Sequence, residues 1–237
     1  MGKHWNRLKR SLGRRWREWR LPRGYQRLGT RYGGWWIDSR AMGPQPLLID
    51  CGLGEDISFP AAFLQRFAGA RVIGVDPNPR SLAYCRARCP AGMEILPNAL
   101  WTRAGETLAF HMPRSQDKLP QGADGVSGSL DRSHQYVEGG ERIEIQTVDL
   151  DALLARTGRT ECDVLKLDIE GAEYELLDAL IASGRILAAR QVLVEFHHGV
   201  TGHSLADTQR IVTQLGAAGL RLMHVESRNY IFRREAA

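Results

Sequence analysis

No apolar run in this chain of 237 residues approaches the roughly 18 to 20 residues that a membrane-spanning helix needs. The basic N-terminus is followed by neither an apolar segment nor a small-residue cleavage site, so no secretory signal is expected. Cysteine is scarce: Cys51, Cys85, Cys89 and Cys162 make no CxxC pair and no zinc-ribbon spacing. Cys85 and Cys89 could share a helix face, but they have no nearby His or Cys partners. They read as packing residues, and a reducing cytoplasm is the expected setting. A nicotinamide-type turn is incomplete too, since the third glycine position of a Gly-x-Gly-x-x-Gly pattern is Ile57. What remains is ordinary for a soluble globular protein, 43% apolar and 25% charged. The length suits one large α/β domain or two small ones.

Acids are also nearly missing from the first 31 residues, and the net charge of +5 is therefore unevenly spread. Lysines and arginines from Lys3 to Arg31 face the single acid Glu18. Trp5, Leu8, Leu12, Trp16 and Trp19 recur at spacings of three and four, which predicts a basic amphipathic helix. Docking of its aromatic edge on the protein body ranks first, peripheral contact of residues 1–31 with an anionic membrane second, and nucleic acid third. Pro22 and Gly24 end that helix, and Arg31–Ile37 reads as a loop whose tryptophan pair, Trp35 and Trp36, folds onto the core. Residues 1–45 are thus set apart as an N-terminal segment, with the main domain over 46–237.

The main domain opens with the apolar strand Leu47–Ile49, then Asp50, then Gly52-x-Gly54, then a helix through Phe59 and Phe63. Glycines at a first strand-to-helix turn let the backbone approach a ligand closely. A second strand, Arg71–Val75, ends in Asp76, placed to hold ribose hydroxyls. Pro77 and Pro79 stiffen the next turn, Ser81–Arg88 reads as helix, and Met93–Leu96 is a third strand leading to Asn98. The alternation predicts a doubly wound sheet. Glu106–Met112 and Ile143–Val148 read as further strands, and the polar stretch 113–133 as a long loop. Asp149 is expected to cap a short helix through Leu150, Leu153 and Leu154. At the C-terminal end, a helix (Leu205–Leu215) and a hairpin (Leu220–Val225 with Asn229–Arg233) imply one antiparallel edge strand.

Glu55 and Asp56 beside the glycines would repel a dinucleotide's diphosphate. S-adenosylmethionine (SAM) has no phosphate and carries a sulfonium and an ammonium, so carboxylates near its amino-acid end attract it. The Asp50-x-Gly52-x-Gly54 turn joined to Asp76 therefore favours SAM.

The chain's organising stretch is Asp163–Glu173. Val164, Leu165 and Leu167 form a strand covered on both faces, Lys166, Asp168 and Glu170 alternate with them, and a helix follows through Leu176, Leu177, Leu180 and Ile181. A strand ending in charge before a helix is where an open α/β sheet places its crevice. Gln191–Glu195 is another buried strand, ending in Glu195-Phe196-His197-His198.

These residues carry a family resemblance. Leu165-Lys166-Leu167-Asp168-Ile169-Glu170-Gly171-Ala172-Glu173, with Val194-Glu195-Phe196-His197, resembles the signature of the FkbM family of SAM-dependent methyltransferases, and the likeness runs from about Gly33 to the C-terminus. It implies a class I methyltransferase fold: a Rossmann-like, doubly wound, mostly parallel seven-stranded sheet. It also implies SAM as donor and a hydroxyl acceptor on a sugar or other small natural product. The first motif departs from the family's common Asp-x-Gly-Ala-Asn, since here it is Asp50-Cys51-Gly52-Leu53-Gly54-Glu55-Asp56.

The expected cofactor-binding set is Asp50, Gly52, Gly54, Asp76, Asn98 and Asp168. For proton removal from an alcohol, His197 is the first candidate, at a strand end and titrating near the working pH. Asp168 and Glu170 come next, as base, as acceptor-orienting groups, or as ligands to a divalent cation such as magnesium or manganese. The spacing alone establishes no metal site. The plainer explanation of His197 is a satisfied structural histidine, which is preferred for His198. Lys166 is expected to pair with a carboxylate. Three other functions compete: a SAM-binding fold without turnover, a nicotinamide oxidoreductase, and a nucleic-acid methyltransferase suggested only by the basic arm. Asp76-Pro77-Asn78-Pro79 is not the Asn/Asp-Pro-Pro-Tyr signature of amino-methylating enzymes, so a nucleic-acid partner is not expected.

Overall fold

The structure, a computed structural model, describes residues 24–114, 127–137 and 139–235. The basic helix expected before Pro22, through Trp5 and Trp19, and residues 115–126 of the polar stretch lie outside the described residues. No helix among the described residues is long and apolar enough to cross a membrane.

Seven strands form the central sheet: β3 (Leu47–Cys51), β4 (Arg71–Val75), β5 (Met93–Leu96), β9 (Cys162–Leu167), β10 (Ala189–Glu195), β11 (Leu220–Glu226) and β12 (Asn229–Arg234). Their order is β11-β12-β10-β9-β3-β4-β5. β3 and β9 are buried at every position and lie side by side in parallel at its centre. That is why their sequences read as near-continuous apolar runs. The chain leaves β3 toward β4 and β5, then returns to β9 and continues toward β10. The winding therefore reverses between β3 and β9, and the crevice opens beyond their C-terminal ends.

Helices cover both faces. Leu47, Ile49 and Leu165 pack with α3 (Leu150–Thr157), α4 (Glu173–Ala182) and α5 (Leu205–Ala217). Leu48 and Val164 pack on the other face with α1 (Ser58–Arg66) and α2 (Pro79–Arg86). Each such fully buried aliphatic side chain contributes about 1.5–3 kcal/mol relative to an exposed one. Asp149 caps α3 by accepting the Ala152 N–H at 2.8 Å, as its position before the leucine run implied.

Four details differ from the sequence-based expectation. The antiparallel strand, β12, lies one place inside the sheet edge, because it pairs with β10 on one side and folds back to β11 on the other. Trp35 and Trp36 sit in a strand, β2 (Trp35–Asp38), paired antiparallel with β1 (Tyr25–Leu28). Trp35 and Ile37 share the core of α1, and Gln191 of β10 hydrogen-bonds both the N–H and the carbonyl of Asp38. Through these contacts the β1–β2 hairpin packs on the body of the domain. Pro79 is the first residue of α2, capped by Asn78, where its missing N–H needs no partner. Finally, β6 (Asn98–Leu100) leaves the central sheet and joins β8 (Arg142–Val148) and β7 (Thr107–His111) in a separate three-stranded sheet, after Pro97 removes a ladder donor.

Candidate active site

The crevice at the switch point is a cavity of about 470 Å³, within the ordinary range for a small-molecule site. Its floor is the pair of turns that follow β3 and β9. Gly52 sits at φ +82°, and a Cβ there would fall 1.7 Å from the Asp168 carbonyl oxygen. Only glycine lets these turns touch. Gly54, at φ +56°, continues the open backbone toward α1.

Asp76, just past β4, fixes this loop. One of its carboxylate oxygens accepts the N–H groups of Leu53 at 2.9 Å and Gly54 at 3.0 Å, and the other accepts that of Asn78 at 2.8 Å. Burial pushes its carboxyl up to about 6, against those hydrogen bonds. Asp56 bridges the same loop to the hairpin, accepting the hydroxyl of Thr30 at 2.5 Å and the N–H of Ser58 at 2.7 Å. Arg80 forms a two-pronged pair with Glu55, at 2.7 and 2.9 Å.

Beneath the floor, Asp50 and Lys166 are register partners on β3 and β9, and their charges meet at 3.2 Å. Lys166 also lies 3.5 Å from Asp168, donates to the Gly52 carbonyl, and stands 5.8 Å from the Trp35 ring centre. Burial pushes the Asp50 carboxyl up while Lys166 pulls it back. Burial likewise opposes the Lys166 charge, but Asp50 and Asp168 hold that ammonium above its ordinary range.

The far wall is a cluster of acids around one imidazole. β9 ends at Leu167, so Asp168 stands at its tip, and Glu170 lies in the following turn at φ +56°, a left-handed conformation unusual for a non-glycine residue. The strand alternation read through Glu170 thus stops at the strand end. His197 follows β10. Its Nδ1 is 3.1 Å from Glu173 Oε1, and its Nε2 is 3.2 Å from Glu170 and 3.6 Å from Asp168. Burial disfavours the charged ring, yet Glu173, Glu170 and Asp168 together raise it to about 10. The acids around the ring thus favour its protonated form. Burial raises Asp168, opposed by Lys166 and His197. Glu170, in spite of burial, is held down to about 2 by His197 and His134.

Of the residues expected from sequence, Gly52, Gly54, Asp76, Asp168, Glu170 and His197 all line the one cavity. Asp50 does not. It is buried below the floor and acts on the site through Lys166. Asn98 is also outside the cavity wall: its amide donates to the Gln146 carbonyl at 3.1 Å, and Ala99 and Leu100 face the space instead. His198 turns away to Thr208, 3.0 Å from its Nδ1. The structure adds residues that sequence reasoning missed. Glu173, fully buried at the start of α4, reads in sequence as an ordinary first-turn acid. His134 comes from an irregular segment with no periodic signal. Arg228 and Asn229 enter from the β11–β12 turn, and Tyr32 from the hairpin loop.

Residues 50–230 match the methyltransferase FkbM domain. The chain is 28% identical over 142 residues to 2-O-methyltransferase NoeI of Sinorhizobium fredii (strain NBRC 101917 / NGR234), an alignment covering 56% of this chain and 57% of that protein. It therefore spans little more than half the length of that relative. Among solved structures it is similar to the fibrillarin pre-rRNA processing protein of Methanococcus jannaschii (TM-score 0.44, 9% identity, 82% of this chain and 68% of that chain). It is also similar to Aeropyrum pernix fibrillarin in complex with natively bound S-adenosyl-L-methionine (TM-score 0.41, 13% identity, 83% and 68%).

Proposed function

The chain belongs to the FkbM methyltransferase family, and from that premise we propose that it moves the methyl group of SAM to a hydroxyl oxygen of a sugar or other small acceptor. The observation that carries this reading is a convergence. The glycine turn after β3, Asp76 after β4 and the acid–histidine cluster after β9 and β10 open into one cavity.

The residues fit the cofactor. Gly52 and Gly54 leave backbone exposed without side chains, and an acid after the second strand of such a sheet, here Asp76, suits ribose hydroxyls. The acids around the floor suit a ligand that is cationic at its methionine end and has no phosphate. When bound, SAM supplies an electrophilic methyl: the acceptor oxygen bonds to it as the sulfur–methyl bond breaks, leaving S-adenosylhomocysteine. The protein's own contribution is to orient the acceptor and receive its proton. Asp168 and Glu170 take these roles. His197, fixed through Nδ1 by Glu173, positions them.

The test is transfer of labelled methyl from SAM to a panel of sugars and hydroxylated small molecules. The reading expects alkali-stable ether-linked label, reduced at least 100-fold in Asp168→Asn. Label found only on amines or carboxylates, or no label with SAM still bound, would overturn it. The latter outcome would favour a SAM-binding fold without turnover.

A further inference from the structure

The two histidines of the far wall are aimed at the same atom. His197 Nε2 lies 3.2 Å and His134 Nε2 3.0 Å from Oε2 of Glu170. His134 is fully buried, and its Nε2 is in an alignment that completes no hydrogen bond. Oxygens of Asp168 and Glu170 and a ring nitrogen of His197 all fall within 4.8 Å of one another, on the cavity wall. We propose that this wall is a binding site for one divalent first-row transition-metal ion, ligated by Asp168, Glu170 and His197 Nε2.

Three features argue for a metal over a self-satisfied ion-pair network. First, the ring is pre-oriented: Glu173 fixes Nδ1 of His197 at 3.1 Å and accepts its backbone N–H at 2.9 Å, so Nε2 is the atom presented to the cavity. A carboxylate on the far nitrogen is the usual support of a metal-bound imidazole. Second, negative charge exceeds positive charge here. Among the described residues, the carboxylates of Asp50, Asp168, Glu170 and Glu173 are met by Lys166 and the rings of His197 and His134. Third, mixed imidazole and carboxylate donors match manganese, iron or zinc better than an all-oxygen magnesium site. Ligation takes the proton off Nε2, as at any imidazole ligand.

The inference rests on, and deepens, the hydroxyl-transfer reading. A cation in this position would bind the acceptor oxygen and make its hydroxyl more acidic. The proton would then pass to the carboxylate oxygen that the metal leaves free.

The experiment is titration of the EDTA-stripped, full-length chain with Mn²⁺ alone, followed by the loss of the free-ion electron paramagnetic resonance signal. One Mn²⁺ per chain is expected, with affinity at least ten-fold weaker in Glu170→Gln and in Asp168→Asn. Glu55→Gln, which makes the same charge change at the other end of the cavity, should leave affinity within two-fold. No Mn²⁺ bound at millimolar concentration, or equal binding by wild type and both cluster variants, would overturn the proposal. So would competitive displacement of Mn²⁺ by S-adenosylhomocysteine, because the acids would then serve the cofactor's cationic end. Binding of S-adenosylhomocysteine is measured separately on the stripped protein. Loss of that binding with Mn²⁺ retained would sink the methyl-transfer reading and leave the metal site standing.

Discussion

Glu173 holds His197 twice through one oxygen, accepting its backbone N–H at 2.9 Å and facing its Nδ1 at 3.1 Å, while its other oxygen accepts the Gly171 N–H at 2.8 Å. A single fully buried carboxylate at the head of α4 thereby joins the β9 turn to the end of β10. Replacing it with alanine takes the acceptor from two N–H groups and from Nδ1 of the buried imidazole. Glu173→Ala should cost about 3–5 kcal/mol in urea denaturation. Glu173→Gln keeps one acceptor and should cost less.

The contact between Gly52 and Asp168 permits a sharper contrast. An added Cβ at Gly52 meets the Asp168 carbonyl at 1.7 Å, whereas at Gly105, with nearly the same φ of +80°, it meets nothing within 4 Å. Gly105→Ala should cost only the left-handed backbone penalty, about 1 kcal/mol. Gly52→Ala must move one turn away from the other, so it should both destabilise the fold by several-fold more and abolish S-adenosylhomocysteine binding. Equal stability of the two variants would contradict the packing described.

The Asp50–Lys166 pair bears on the same turn. Lys166→Met strands a buried carboxylate and should cost about 3–5 kcal/mol, while the double variant Asp50→Leu/Lys166→Met should be markedly less destabilised than the sum of the two singles. A double-mutant cycle by chemical denaturation measures the coupling. Additive effects would mean that the two charges do not support each other.

Asp76 gives a pH signature whose sign is opposite to that of a salt-bridged acid. Burial raises its folded value to about 6, against about 3.9 in an unfolded chain. Between those values the folded state holds more proton, so stability falls as pH climbs from about 4 to about 6 and is flat above. The two-unit gap corresponds to about 3 kcal/mol. Subtracting the urea stability curve of Asp76→Asn from that of the wild type should isolate this slope. A difference that is constant from pH 4 to pH 8 would show that Asp76 is not perturbed.

Much of this was legible in sequence because the sheet's centre is covered on both faces. Leu47–Ile49 and Val164–Leu167 could hardly be anything but buried strands, and the charges after them had to fall at the crevice. Asp168, Glu170 and His197 follow from strand ends, which local patterning marks. The structure puts Asp50 against a buried lysine and Asn98 against a neighbouring carbonyl, and a polar residue beside an apolar run reads the same in sequence there as facing a ligand. The spacing that marks His197 as a candidate gives no hint of the carboxylates that surround it, two of them from the β9 turn and one from α4. His134 was invisible for a related reason: only tertiary packing brings it to Glu170.

The most direct test of the central claim is the thermal stability of the purified chain with S-adenosylhomocysteine, beside parallel samples with NAD and NADP. At about 100 times its dissociation constant the ligand should add roughly 2.7 kcal/mol, seen as a clear rise in Tm that is lost in Asp76→Ala. Neither dinucleotide should shift the transition. A shift with NAD or NADP alone, or none with S-adenosylhomocysteine at millimolar concentration, would contradict the assignment of the glycine turn and of the reaction built on it.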